Sequence, residues 1–159
     1  MKNHWSVRKL VALTLRSGDI DSGFLSHKRA QEGIRLHQKL QRAYPPSFES
    51  EVEIAGTVAY DGGEIFLEGR IDGVDEDACL LDEIKSTVYT KEAIDARPDE
   101  LHWAQLKCYG YLYAKAKGLD EVHLRLTYIR IEDEEVFRYD KIMAFAELDD
   151  FMKEVMARF

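Results

Sequence analysis

CLLDEIKS, residues 79–86, begins apolar and ends in charge, and how it folds decides the architecture. Read as a strand, period 2 puts Cys79, Leu81, Glu83 and Lys85 on one face. Leu80, Asp82, Ile84 and Ser86 fall on the other. The apolar opening predicts a strand buried on both faces near the sheet centre. An acid and a lysine then emerge side by side at its end. A buried carboxylate there must neutralise, find a cationic partner or bind a metal ion.

Upstream, Val52, Ile54, Val58 and Tyr60 alternate with more polar residues, and Asp61-Gly62-Gly63 forms a turn. Ile65, Leu67 and Ile71 then alternate with Glu68, Arg70 and Asp72, so residues 52–72 predict a hairpin. Two helices are expected before it. The first starts from Ser6 as N-cap, with Val7, Leu10, Val11 and Leu15 at helical spacing and a stop at Gly18. The second spans about Gly23 to Tyr44 and ends at Pro45-Pro46. Lys28, Arg35, Lys39 and Arg42 share its polar arc. Ala30, Ile34, Leu36, Leu40 and Tyr44 cover the other arc, with His37 among them and Gly33 four residues earlier.

Downstream, residues 87–97 read as a loop with a short helical turn. Pro98 to Lys117 reads as a helix closed by Gly118. A strand over Glu121 to Ile131, a charged EDEE turn, a short strand near VFRYD and a helix from about Ala144 to Arg158 complete the chain. The order of elements predicts an α/β or α+β fold, with helices flanking a central mixed sheet.

At 159 residues, 45% apolar and 11% aromatic, the chain has the length and composition of a single packed domain, residues 1–159. No apolar run reaches the roughly 20 residues of a membrane span. The charged start MKNHWSVRKL carries no secretion signal, so a cytoplasmic protein without a membrane partner is expected. Cys79 and Cys108 lie in apolar segments and read as reduced thiols. Residues 1–46 hold nine Lys or Arg against three Asp or Glu, a net +6. The chain total of −8 leaves −14 for the remainder. That asymmetry suits phosphate guidance toward a carboxylate metal site, and surface solubility explains it equally well.

Asp72, flanked by Gly69 and Gly73 at the end of its strand, is a natural neighbour for Glu83. Two converging carboxylates repel, and a hard divalent cation relieves the repulsion. The plainer alternative is an exposed Glu83–Lys85 pair beside a turn aspartate. His37 is either a satisfied core histidine or a ligand. Gln105 interrupts the helical stripe of Leu101, Cys108, Tyr109, Leu112 and Ala116. A buried amide needs partners, so it either satisfies Tyr109 and the backbone locally or reaches toward the strand-end site or a phosphate.

In this order EGIRLHQKL with His37, GRIDG with Asp72, DEIKS with Glu83 and Lys85, and QLKCY with Gln105 and Tyr109 resemble the RecB-like branch of the PD-(D/E)xK nuclease superfamily. The resemblance covers about residues 30–113. No proline precedes Asp72, and GxxD in that place is usual for the branch. The resemblance implies a restriction-endonuclease-like core and a Mg or Mn site held by Asp72, Glu83, the Ile84 carbonyl and His37. Lys85 would orient or deprotonate the attacking water. Gln105 and Tyr109 would support the site or a DNA strand, and Lys28, Arg35, Lys39 and Arg42 are candidates for phosphate contacts. Some relatives hold an iron–sulfur cluster with four cysteines; with two cysteines, none is expected here. RSGDIDSGF followed by RAQEGIRLHQKLQ resembles the nuclease-like domain in front of DinG-type helicases, implying a stand-alone relative or an excised domain with a helicase partner.

The leading expectation is therefore a metal-dependent deoxyribonuclease. It would be an exonuclease acting on single strands or ends in DNA repair or recombination. The alternatives are a non-cutting nucleic-acid-binding module of the same fold that serves a helicase, and a protein-interaction domain.

Overall fold

A computed structural model describes residues 3–15 and 26–159. Its elements run β1 (His4–Ser6), α1 (Val7–Leu15), α2 (His27–Arg42), β2 (Phe48–Tyr60), β3 (Gly63–Asp75) and β4 (Leu80–Thr87). They continue with α3 (Lys91–Ala96), α4 (Glu100–Lys117), β5 (Glu121–Arg130), β6 (Val136–Ala144) and α5 (Phe145–Ala157). The expected helix stop at Gly18, the start of the second helix at Gly23 and the RSGDIDSGF stretch lie outside the described residues.

Local chemistry accounts for the boundaries. Ser26 caps α2 by accepting the Arg29 N–H at 3.2 Å. Asp99 caps α4 through the Leu101 and His102 N–H groups. Gly118, at φ 68°, ends α4 in the left-handed region. Between these caps nearly every residue from Trp103 to Ala114 is buried, so α4 is a central helix apolar on all sides. The single stripe expected for it is too narrow: Ala116 is exposed and Leu101 only half-buried. On α2 the reverse holds. Only Gly33 and Leu36 are buried, and Ile34 is 60% exposed although its spacing suggested the apolar arc. The helix lies against the sheet along a line rather than a broad stripe.

The sheet is mixed and runs β1-β3-β4-β5-β6, with β2 also paired to β3. β2 and β3 form the long antiparallel hairpin. β4 pairs parallel with β5 along its whole length, from Leu80–His123 to Thr87–Arg130. β5 and β6 pair antiparallel over nine residue pairs, so β6 is longer than the short strand expected. β4 begins at Leu80; Cys79 stands in the preceding turn at φ 51° and is not a strand residue. Of the two free thiols only Cys108 is buried.

β1 was not legible beforehand, because three residues are too few to show a period. It pairs parallel with β3 from His4–Phe66 to Ser6–Glu68. β4 pairs antiparallel with β3 only from Gly73–Asp82 to Asp75–Leu80. Since β2 runs along one edge of β3, paired at every residue but Asp72, β1 and β4 share the other edge. Residues 69–72 lie between them without a strand partner on that side. This gap in the sheet positions the site.

Helices cover both faces. Gly33 of α2 lies so close to β4 that a Cβ there would stand 2.6 Å from the Ser86 Oγ, so the helix could not approach as closely with any other residue. Gln105 of α4 meets Lys85 on the opposite face of the same strand. The main core joins α1, α4 and α5 to the sheet through residues such as Leu10, Leu67, Leu106, Leu126 and Leu148, all fully buried. Each contributes about 1.5–3 kcal/mol over an exposed side chain.

Candidate active site

Asp72 lies at the last position of the gap and is 7% exposed. The Gly73–Asp82 register, continued by one residue, would set it against Glu83, yet the ladder stops there. The Asp72 side chain takes over: its Oδ2 accepts the Ile84 N–H at 2.7 Å. On the other edge the hairpin register sets Glu51 opposite Asp72, between the pairs Ser50–Gly73 and Val52–Ile71, and this pair is missing too. The Gln41 amide donates instead to the Asp72 carbonyl at 3.0 Å. Asp72 thus stands where backbone pairing is interrupted on both sides.

His37, from the second turn before the end of α2, brings Nε2 to 3.0 Å from Asp72 Oδ1. Glu83 is 1% exposed, and its carboxyl neighbours that of Asp72 closely enough for the two to act on each other's protonation. Lys85 Nζ lies 3.5 Å from Glu83 Oε2 and donates to Gln105 Oε1 at 2.9 Å. Gln105 in turn donates its amide to the Tyr109 hydroxyl at 2.9 Å. The amide therefore does both things weighed for it, satisfying Tyr109 and reaching the strand-end lysine. The structure brings His37, Asp72, Glu83, Lys85, Gln105 and Tyr109 into one connected cluster. Ile84 contributes its N–H to that cluster.

The electrostatics separate the two acids. Burial acts to raise the Asp72 pKa, but the His37 imidazole, the Glu83 carboxyl and the Ile84 N–H outweigh it, so Asp72 is held below the usual carboxylate range. Glu83 goes the other way: burial, then the neighbouring Asp72, push it well above its usual value against the pull of Lys85. One proton is in effect shared by the pair, with Asp72 the better anion. His37 is raised by its bond to Asp72, with burial opposing. A buried acid pair of this kind, beside an imidazole, offers the oxygen and nitrogen donors a divalent cation takes, and such a cation would replace the shared proton. The donor set fits a divalent metal.

A cleft of about 640 Å³ opens onto Asp72, lined among others by Arg8, His37, Glu51, Arg70 and Tyr109. Neither Glu83 nor Lys85 is among its lining residues; Glu83, almost fully buried, stands behind Asp72 as seen from solvent, whereas Lys85 keeps some exposure of its own. Two of these residues were not singled out in the sequence. Arg8, in the first turn of α1, is exposed, and its charge acts on Glu83 and Tyr109. Glu51 comes within 4.8 Å of the ligand atoms of both His37 and Asp72 and has φ 56°. A left-handed backbone costs a residue with a side chain about 1–2 kcal/mol. No period or motif flags either residue. Their signal is positional, through the β1–β3 and β2–β3 registers.

The basic arc of α2 is divided. Arg35 pairs with Glu32 at 3.0 Å and Glu134 at 3.5 Å, and Lys39 with Glu134 at 2.6 Å. Both therefore tie α2 to the β5–β6 turn. Lys28 and Arg42 show no ion pair among the described residues.

A mixed sheet with helices on both faces, carrying an Asp, a Glu and a Lys where two strands part, is the core of a phosphodiester-hydrolysing class of enzymes. The sequence of residues 6–159 matches the PD-(D/E)XK nuclease superfamily, and the chain belongs to it. Nucleases of this superfamily use divalent metals. No curated protein matches the sequence. Solved structures do. SSO0001 superposes with a TM-score of 0.66 at 19% identity, over 99% of this chain and 76% of its own. The alkaline exonuclease LHK-Exo of Laribacter hongkongensis gives 0.57 at 16% identity, over 97% and 84%. A phage related exonuclease from Haemophilus somnus 129PT gives 0.54 at 12% identity, over 99% and 91%. At these identities the likeness is one of fold. Among the described residues, no helix is long and apolar enough to cross a membrane.

Proposed function

We propose that this chain is a single-domain, cytoplasmic, Mg- or Mn-dependent deoxyribonuclease of the RecB-like branch, acting as an exonuclease on single strands or ends in repair or recombination. The observation that carries the reading is the gap in the sheet, where His37 and Asp72 face the cleft and Glu83 and Lys85 lie directly beside them. Two structural neighbours are exonucleases by name, which favours end-directed cutting. The likeness of residues 16–41 to the domain in front of DinG-type helicases is the reason to propose a helicase as partner or fusion.

Asp72 and Glu83 would hold the cation together with His37 and the Ile84 carbonyl. Imidazole among the donors favours Mn as readily as Mg. A bound divalent cation would polarise the scissile phosphate and stabilise the leaving oxygen. The chain's own groups supply the remainder. Lys85, fixed by Gln105 and through it by Tyr109, presents an ammonium that orients the attacking water and offsets charge on the phosphorus as it becomes five-coordinate. Arg8 in the cleft is the cation best placed to meet a phosphate. Lys28, exposed in the first turn of α2, remains a candidate phosphate contact. Arg35 would contact a strand only by sharing the acids it already holds.

End-labelled single- and double-stranded DNA, incubated with Mn, with Mg and with chelator, tests the reading. Cleavage should require metal and fall about 100-fold or more in Lys85→Ala. Metal-independent, salt-sensitive DNA binding without cleavage would replace it with the non-cutting module.

A further inference from the structure

We infer that Glu51 is a further ligand of the divalent cation, an inference that rests on the metal site proposed above. The motif-bearing residues lie on α2, β3 and β4, whereas Glu51 comes from β2 and belongs to no motif. Its carboxylate nevertheless lies within 4.8 Å of the ligand atoms of both His37 and Asp72. Glu83 is not part of that group. The three donors are therefore a set on the cleft side of Asp72, while Glu83 stands behind it.

The backbone is arranged to put Glu51 there. Its neighbours Ser50 and Val52 keep the hairpin register on either side. Glu51 alone leaves it, adopting φ 56° in a strand where every other non-glycine residue has negative φ. A bulge would have shifted the register by one residue; here the register is unchanged, and only the one peptide turns away. Gln41 then secures the arrangement. Its single amide donates to Glu51 Oε1 and to the Asp72 carbonyl, both at 3.0 Å, replacing the lost backbone pair and holding the carboxylate against the aspartate.

The fold gains little from this. Without a cation, the arrangement brings two carboxylates together beside one imidazole and keeps a strained residue in the middle of a long strand. Arg70 is not the reason for it, since it lies 3.5 Å from Glu53 and 4.0 Å from Glu51, both in the open. A cation held between His37, Glu51 and Asp72 makes the same geometry favourable, because each added carboxylate ligand strengthens a hard divalent ion's site. Strain at such a position is characteristic of sites that a ligand completes.

Titration of Mn into the whole chain, read by calorimetry and by the loss of the free-ion signal in electron paramagnetic resonance, tests the assignment without any substrate. Glu51→Gln should weaken binding by about tenfold or more, Glu53→Gln should leave it within about twofold, and Asp72→Ala should abolish it. Glu51→Gly should also weaken binding, while the metal-free protein melts about 2–4 °C higher as the left-handed strain is relieved. Wild-type affinity in Glu51→Gln alongside loss in Asp72→Ala would overturn the Glu51 assignment and leave the metal site standing. Absence of Mn binding by the wild-type chain would overturn both.

Discussion

Asp72 and Asp82 are two buried aspartates ten residues apart, on adjacent strands beside the same Gly73–Asp82 pair, and they have opposite characters. Asp82 is 3% exposed and Asp72 7%, so burial does not distinguish them. Their partners do. Asp82 is closed in by two neutral hydroxyls, Thr127 and Tyr44, each donating at 2.5 Å. Burial raises its pKa, and those two bonds only partly offset the rise. Asp72 faces an imidazole, a backbone N–H and a second carboxyl, opens on the cleft, and is held low. Neutral, saturated partners make a buried acid a fastener that locks the end of α2 to β4. Charged and incompletely satisfied partners make it a site.

The sharpest break in the comparison is predicted for cation binding. Asp72→Asn should lower Mn affinity about 100-fold or more while costing folding stability only about 1 kcal/mol, since the amide oxygen can still accept the Ile84 N–H and the lost attraction to His37 is partly offset by the lost repulsion from Glu51. Calorimetry and thermal melts read both, and an unaltered affinity would erase the distinction. Asp82→Ala should do the reverse. It leaves the Tyr44 and Thr127 hydroxyls without their acceptor and should cost about 2–4 kcal/mol of stability, with Mn affinity of the folded protein within about threefold. Denaturant melts at neutral pH provide the check.

His102 sharpens the contrast from the side of a base. Its Nδ1 lies 2.8 Å from the Tyr128 hydroxyl, and burial, then the charge of Lys85, lower its pKa to about 4. The unfolded chain, near 6.5, therefore binds the proton first. The stability due to neutral His102 is complete above about pH 6.5 and is lost as pH falls toward about 4. With its partial exposure discounted, the effect is of order 1–2 kcal/mol. His102→Gln should flatten the acid limb of the stability curve between those pH values, and an unchanged slope would remove His102 from the account. The smallest effect is expected at the surface. Glu134→Ala breaks the exposed pairs to Arg35 and Lys39 and should lower the melting temperature only slightly, a shift further reduced by added salt.

Much of this molecule was legible in advance where chemistry repeats at short range. The hairpin, β4, α4 and α5 all announced themselves through period and caps. Glu83, Lys85 and Gln105 stood out because charge or amide interrupted an apolar segment, Asp72 as the strand-end neighbour of Glu83, and Tyr109 as the helical i+4 partner of Gln105. The misreadings share one cause. Ile34 sits on an apolar arc and is exposed because α2 buries only Gly33 and Leu36 against the sheet. Cys79 continues an apolar run and yet belongs to a turn, since the β3–β4 connection needs a left-handed residue there. Both outcomes depend on how closely and in what register two elements meet, which local spacing does not encode.

The sequence by itself determined the fold class, the order of the strands and helices apart from β1, and the acid–lysine pair on β4, because those follow from side-chain periodicity and the cost of burying charge. Only the tertiary structure decided that β1 and β4 share one edge of β3 and leave a gap at Asp72, and that the hairpin register sets Glu51 opposite it. It also decided that Arg35 and Lys39 are tied to Glu134. These are pairings between residues far apart in the chain. They are set by the packing of whole elements, in which a shift of one residue would turn every side chain to the other face.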